Sequence, residues 1–193
     1  VIENFLRPPR SVGEYLADLL RVLGFVSVGV AAIWFSPTDA GILAFALPAL
    51  LVPRFLGVRT GFDLIYGVTV LVAAWSNVLD LYTTVGWWDV PVHLVCTGAL
   101  TAVLYVALER FDVIPAQPVL ARRRLVLMPA LGLAIGALWE MVEWLGFTLI
   151  SDTIVVAYQD TIGDLAVGGL GALLTGIAAT RVRLGRPGLR LRA

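Results

Sequence analysis

Apolar residues fall into six long blocks separated by short polar breaks, near residues 19–35, 40–52, 62–79, 90–108, 125–150 and 162–180. A bilayer core of about 30 Å needs roughly 20 apolar residues per helix, so these blocks predict six membrane-spanning helices. The second block is short for that purpose and carries Pro48. The fifth is long enough to tilt.

The breaks read as helix boundaries. Residues 1–10 form a polar lead. Ser11-Val12-Gly13-Glu14 has the S-x-x-E form of a capping box, so an interfacial helix start is expected over 11–18. Arg7-Pro8-Pro9-Arg10 leads into it with no small-residue cleavage site, so no cleavable signal peptide is expected. Ser36-Pro37-Thr38-Asp39 reads as a tight turn. Pro53-Arg54 closes the second block. Trp87 and Trp88 suit a membrane interface, as do Trp139 and Trp144. The connector 109–124 holds Pro115, Pro118 and Arg122-Arg123-Arg124, and the tail 181–193 carries five Arg.

Composition agrees. Of 193 residues, 59% are hydrophobic and 15% charged, with mean hydropathy +0.89. Soluble domains carry roughly a quarter charged residues. The expected fold class is therefore all-α: a polytopic membrane protein forming a single transmembrane domain over 1–193. Zero net charge and the lack of a basic motif with interleaved aromatics argue against nucleic acid as a partner. The single cysteine, Cys96, excludes an internal disulfide and a Cys-based zinc site, and reads as a small core residue.

Charge then predicts orientation. All 14 basic residues are Arg. With six spans and both termini on one side, every Arg falls in the N-terminal region, the connectors near 53–61 and 109–124, or the tail. The loops near 36–39, 80–89 and 151–161 hold none. The positive-inside rule makes the Arg side cytoplasmic, and the expected location is a bacterial plasma membrane. Eight acids lie on or near the opposite face: Asp39, Asp80, Asp89, Glu140, Glu143, Asp152, Asp160 and Asp164. No Arg is there to neutralise them, so another cation is expected to.

Three pairs carry candidate chemistry. Asp89 and His93 are four apart, Glu140 and Glu143 three apart, Asp160 and Asp164 four apart. Such spacings put both members on one helical face. Asp89 and Asp160 also stand where N-caps would. Gly136 and Gly132 lie at four-residue steps below Glu140; Gly168, Ala172 and Gly176 below Asp164; Thr97 and Thr101 below His93. Small residues at this spacing line close helix contacts in membranes. Spans four to six are therefore expected to converge, with the pairs facing one another. Carboxylates and one imidazole suit Mg, Mn, Fe or Zn. The expected metal ligands are Asp89, His93, Glu140, Glu143, Asp160 and Asp164, with Glu143 also a general base.

At these residues the chain resembles the YjdF-like family of bacterial inner-membrane proteins, a domain of unknown function. The resemblance rests on W-W-D-V-P-V-H, W-E-M-V-E-W and Y-Q-D-T-I-G-D-L-A-V-G-G-L-G-A and covers roughly residues 60–178. It implies Asp89, His93, Glu140, Glu143, Gln159, Asp160 and Asp164 as site residues. Gly168 stands where the family pattern suggests a further acid. A fainter likeness is to VanZ-like proteins, which pair a helix-opening Asp and His with a late Asp.

Three functional classes fit. One is an outward-facing cation site, with metal-dependent chemistry on an outer-leaflet lipid or lipid-linked substrate. The second is an accessory or scaffold subunit, with a membrane protein or a second copy as partner. The third is a cation or proton transporter. For transport, the inner halves of spans four to six offer only Thr97, Thr101, Tyr105 and Thr175, with Asp63 as the one ionisable group to extend a path.

Overall fold

The computed structural model describes residues 2–115, 121–150 and 157–186. Its elements are α1 (Ile2–Leu6), α2 (Val12–Trp34), α3 (Pro37–Leu56), α4 (Thr60–Val78), α5 (Leu81–Thr84), α6 (Asp89–Arg110), α7 (Ala121–Leu149) and α8 (Tyr158–Ala179). Six of these helices, α2, α3, α4, α6, α7 and α8, are long and apolar enough to cross a membrane. Asp152, Pro118 and the tail arginines Arg190 and Arg192 lie outside the described residues.

Two boundaries differ from the sequence reading for identifiable reasons. Ser36-Pro37-Thr38-Asp39 is the N-terminus of α3 and not a turn before it. The Ser36 hydroxyl accepts from Asp39 N–H, and the Asp39 carboxylate accepts from Ser36 N–H, a reciprocal capping box with Pro37 in the first turn. The helix also runs through Pro48 and Pro53 to Leu56, so it has 20 residues and spans about 30 Å. It ends on Gly57 in the left-handed conformation, φ 68°. The polar lead, in turn, contains the short helix α1. Its Phe5 ring stacks on Phe55 at 4.3 Å between centroids, and Asn4 donates to the Phe55 carbonyl.

The chain forms two compact units, with α6 contributing to each. The first comprises Val1–Trp88, Val106–Ala116 and Arg183–Ala193. Here α2, α3 and α4 pack together around Ala31, Leu43, Ala74 and Val78. Small residues allow the approach: Gly24 meets Leu50 and Leu47, and Gly67 meets Leu20. Near the Arg-bearing end, Arg21 binds Asp63 at 2.6 Å and Asp18 at 3.1 Å, and Arg54 reaches Asp18 at 3.3 Å. Glu14 pairs with Arg7 and Arg186. Asp63 is thus a buried partner of Arg21. The start of the tail also returns here, Arg59 N–H donating to Leu184 and Arg186 N–H to Gly57.

The second unit comprises Asp89–Tyr105 and Gln117–Val182. It holds α7, α8 and most of α6, and every candidate site residue.

Candidate functional site

Close contact between small residues builds the second unit. A side chain at Gly171 would run into the Leu94 carbonyl of α6, and one at Gly98 would lie 2.8 Å from the Gly171 carbonyl oxygen. No Cβ fits at either position without moving a backbone, so α6 and α8 touch main chain to main chain. Gly168 abuts Thr97, Gly132 abuts Ala172 and Thr101, and Gly176 abuts Met128. The four-residue stripes read from the sequence are therefore the contact faces of α6, α7 and α8.

At one end of these stripes the pairs meet. His93 Nε2 lies 3.2 Å from Asp89 Oδ1 and 3.7 Å from Asp164 Oδ2. One ligand atom from each of the three residues falls within 4.8 Å of the others. Two metal ligands at bonds of about 2.1 Å stand about 3.0 Å apart in an octahedral site and about 3.4 Å in a tetrahedral one. The His93 distances lie on either side of the tetrahedral value and above the octahedral one, so small side-chain rotations would close a site. The three side chains are 27%, 16% and 11% exposed for Asp89, His93 and Asp164, so the cluster is sheltered yet reachable.

Neither aspartate of a helix start is spent on capping. The N-cap of α6 is Trp88 and that of α8 is Ala157, and neither makes a side-chain cap bond. Asp89 and Asp160 sit inside their helices' first turns. Trp88 is anchored elsewhere, its indole N–H donating to Ser76 at 2.8 Å.

The remaining candidates surround the cluster with other partners. Glu140 Oε2 accepts from the Thr161 hydroxyl at 2.6 Å, tying α7 to α8. Glu143 Oε1 accepts from the Trp139 indole at 2.8 Å, so this tryptophan orients a carboxylate. Glu143 is near enough to interact electrostatically with His93 and Asp89, and Asp160 with Asp164. Asp160 and Gln159 are exposed. The structure thus brings Asp89, His93 and Asp164 into one cluster, with Glu140, Glu143 and Asp160 around it. Thr161 was missed by the sequence reading. Its signal was available, since it lies three residues before Asp164 on the same face.

The electrostatics leave a deficit of positive charge. Two carboxylates share one imidazole, with further acids close by. A cation supplied from outside would offset that repulsion and the cost of taking the carboxylates from water.

The chain matches a family model described as a predicted membrane protein (DUF2238) over residues 15–185. No curated protein and no solved structure matches it. The match takes in all six apolar helices apart from the first turn of α2, and with it the whole Asp89–His93–Asp164 cluster. The chain is a multi-pass membrane protein and belongs to the DUF2238 predicted membrane protein family.

Proposed function

We propose that Asp89, His93 and Asp164 bind a divalent cation near the external face of a bacterial plasma membrane. The termini are cytoplasmic in this reading, which rests on the one-sided distribution of the 14 Arg. The observation that carries the cation site is the convergence of these three ligands from two helices, all within 4.8 Å. Hard oxygens with one imidazole favour Mg, Mn, Fe or Zn. Three protein ligands leave coordination positions open, as sites that act on a substrate require. The reading extends to metal-assisted chemistry on an outer-leaflet lipid or lipid-linked substrate. A bound cation there acidifies a water or holds a phosphate, and Glu143, held by Trp139, is the general base.

Elemental analysis of detergent-purified protein tests the binding step. About one divalent ion per chain is expected in the parent, lost in Asp164→Asn and in His93→Ala. A parent without stoichiometric metal after dialysis against Mn and Zn would remove the reading. Activity is tested next by incubating the loaded protein with phospholipid and lipid-linked pyrophosphate vesicles and following phosphate release. Product that is equal in parent and Glu143→Gln removes the catalytic assignment and leaves the cation site standing.

A further inference from the structure

The Arg-bearing end of the first unit holds a charge imbalance of the opposite sign. Among the described residues, the ion pairs there fall into two groups. Asp18 and Asp63 are matched by Arg21 and Arg54, so that group is neutral. Glu14 is shared by two guanidinium groups, Arg7 at 2.6 Å and Arg186 at 3.2 Å, both on Oε1. Its other oxygen, Oε2, accepts the Arg10 N–H at 2.7 Å. One carboxylate cannot neutralise two arginines, so a positive charge is left over. Burial holds the Arg186 guanidinium below its usual range, and the charges of Arg7 and Arg54 add to that. Of the acids that act on Arg186, Glu14 is shared and Asp63 is held by Arg21. A surplus charge in a half-buried setting calls for an anion from outside.

The two arginines come together from distant parts of the chain. Arg7 follows α1 directly. Arg186 is brought in by main-chain bonds, Arg59 N–H to the Leu184 carbonyl at 2.8 Å and Arg186 N–H to the Gly57 carbonyl at 3.0 Å. Their side chains remain 21% and 23% exposed, so an anion can touch both. Arg10, Arg59 and Arg183, in the segments that make these bonds, are exposed and add to the positive field. The surroundings favour a lipid over a free anion. Glu14 lies in the first turn of the membrane-crossing helix α2, and Tyr15, Leu16 and Leu19 just beyond it are exposed. In α1, Ile2 and Leu6 are four apart, hence on one face, and both are exposed. Acyl chains below a bound headgroup would meet these apolar side chains.

We propose that Arg7 and Arg186 hold the phosphate of an anionic phospholipid in the leaflet at the Arg-bearing end of the helices. Guanidinium groups present paired N–H donors that match phosphate oxygens. A zwitterionic lipid brings its own ammonium group to a site already rich in positive charge. An anionic lipid brings a net negative charge that offsets the surplus, so the site discriminates between headgroups. Glu14 sets the strength of the site, because it competes with the phosphate for the same two arginines. The site shares no residue with the Asp89–His93–Asp164 cluster.

The test is competition for the full-length protein in detergent between equal amounts of phosphatidylglycerol and phosphatidylcholine, with bound lipid counted by native mass spectrometry. The parent should retain phosphatidylglycerol in preference. Arg7→Gln and Arg186→Gln should each lower that preference about fivefold. Glu14→Gln frees both guanidinium groups and should raise it; a variant that merely fails to fold cannot imitate a gain. Arg122→Gln makes the same change in net charge on α7 and should leave the preference as it was. Equal retention of the two lipids by the parent would overturn the proposal. So would a loss in Arg122→Gln as large as in Arg186→Gln, which would reduce the effect to general surface charge. Displacement of bound phosphatidylglycerol by inorganic phosphate at matched ionic strength would also overturn it, since the site would then be one for a free anion. All four variants should keep the parent's Mn affinity, so failure of the metal reading and failure of the lipid site are separately visible.

Discussion

Replacing Gly98 by Ala tests whether backbone contact between α6 and α8 sets the geometry of the cluster. The new Cβ would lie 2.8 Å from the Gly171 carbonyl oxygen and 2.6 Å from Thr175 Oγ1. The threonine can rotate away; the carbonyl belongs to α8 itself. Ordinary contact begins near 3.4 Å, so the helices must separate by about 0.6 Å. That is three times the tolerance of about 0.2 Å expected of a metal site. It takes the His93–Asp164 gap from 3.7 Å to about 4.3 Å, just beyond the maximum of about 4.2 Å that two bonds of about 2.1 Å can span. Overpacking costs about 1–3 kcal/mol, partly offset by up to about 1 kcal/mol from the better helix propensity of Ala. Mn affinity should fall 10–100-fold, as it does when the groups supporting metal ligands are removed. Gly171→Ala, whose Cβ would collide with the Leu94 carbonyl, should be worse on both counts. Gly29→Ala, inside α2 with nothing near its Cβ, should leave Mn affinity unchanged and raise stability by up to about 1 kcal/mol. Equilibrium dialysis against Mn gives the affinity, and tryptophan fluorescence on heating in detergent gives the stability. If Gly98→Ala and Gly171→Ala match the parent in both measurements, close packing does not position the ligands and the argument fails.

Other outcomes follow from the same geometry. Protons compete with the metal for the carboxylate and imidazole atoms, so Mn affinity should drop as pH falls from 8 to 5; a flat titration by dialysis would argue against Asp89, His93 and Asp164 as ligands. Arg21→Ala leaves the Asp63 carboxylate buried and unpaired and should cost about 3–5 kcal/mol in chemical unfolding, whereas Arg21→Met with Asp63→Leu should recover most of it. An unaltered unfolding midpoint in Arg21→Ala would show the pair to be solvated. Gly57→Ala forces a Cβ into a left-handed cap at φ 68° and should lower stability by about 1 kcal/mol in the same assay; no change would mean the cap is not held.

How much could be read from the sequence depended on whether a signal was local. The six spans were legible because hydrophobic blocks are dictated by bilayer thickness alone. The contact faces were legible because Gly132, Gly168 and Ala172 recur at helical spacing, and the structure places them against Thr101, Thr97 and each other. The start of α3 was misread because Ser-Pro-Thr-Asp serves a turn and a capping box equally. Only the reciprocal Ser36–Asp39 bonds distinguish the two. The ion pair of Asp63 was not legible because its partner, Arg21, lies 42 residues away on another helix. No local pattern announces such a pair.

The candidate site shows the same division at finer scale. Periodicity identifies which residues share a face but not how far each side chain reaches. Asp89 and His93 stand one turn apart on α6, and Asp164 arrives from α8 because Gly98 and Gly171 let the backbones touch. Glu140 faces the same region, yet its carboxylate is taken by Thr161, and that of Glu143 by Trp139. Six similar residues thus divide into three that converge and three that stand around them, and the division is made by neighbouring donors, which spacing does not encode. The hydroxyls of Thr101 and Tyr105, which make no hydrogen bond to protein, illustrate the converse. Their four-residue register with His93 was visible from the start, but an unpaired state is a property of the packed interior. It is evident only once Thr69 and Thr148 are seen making the bonds that Thr101 does not. Small residues on α7 and α8 therefore bring the ligand-bearing ends of the helices together, with Gly168 seated on Thr97 and Gly132 on Thr101.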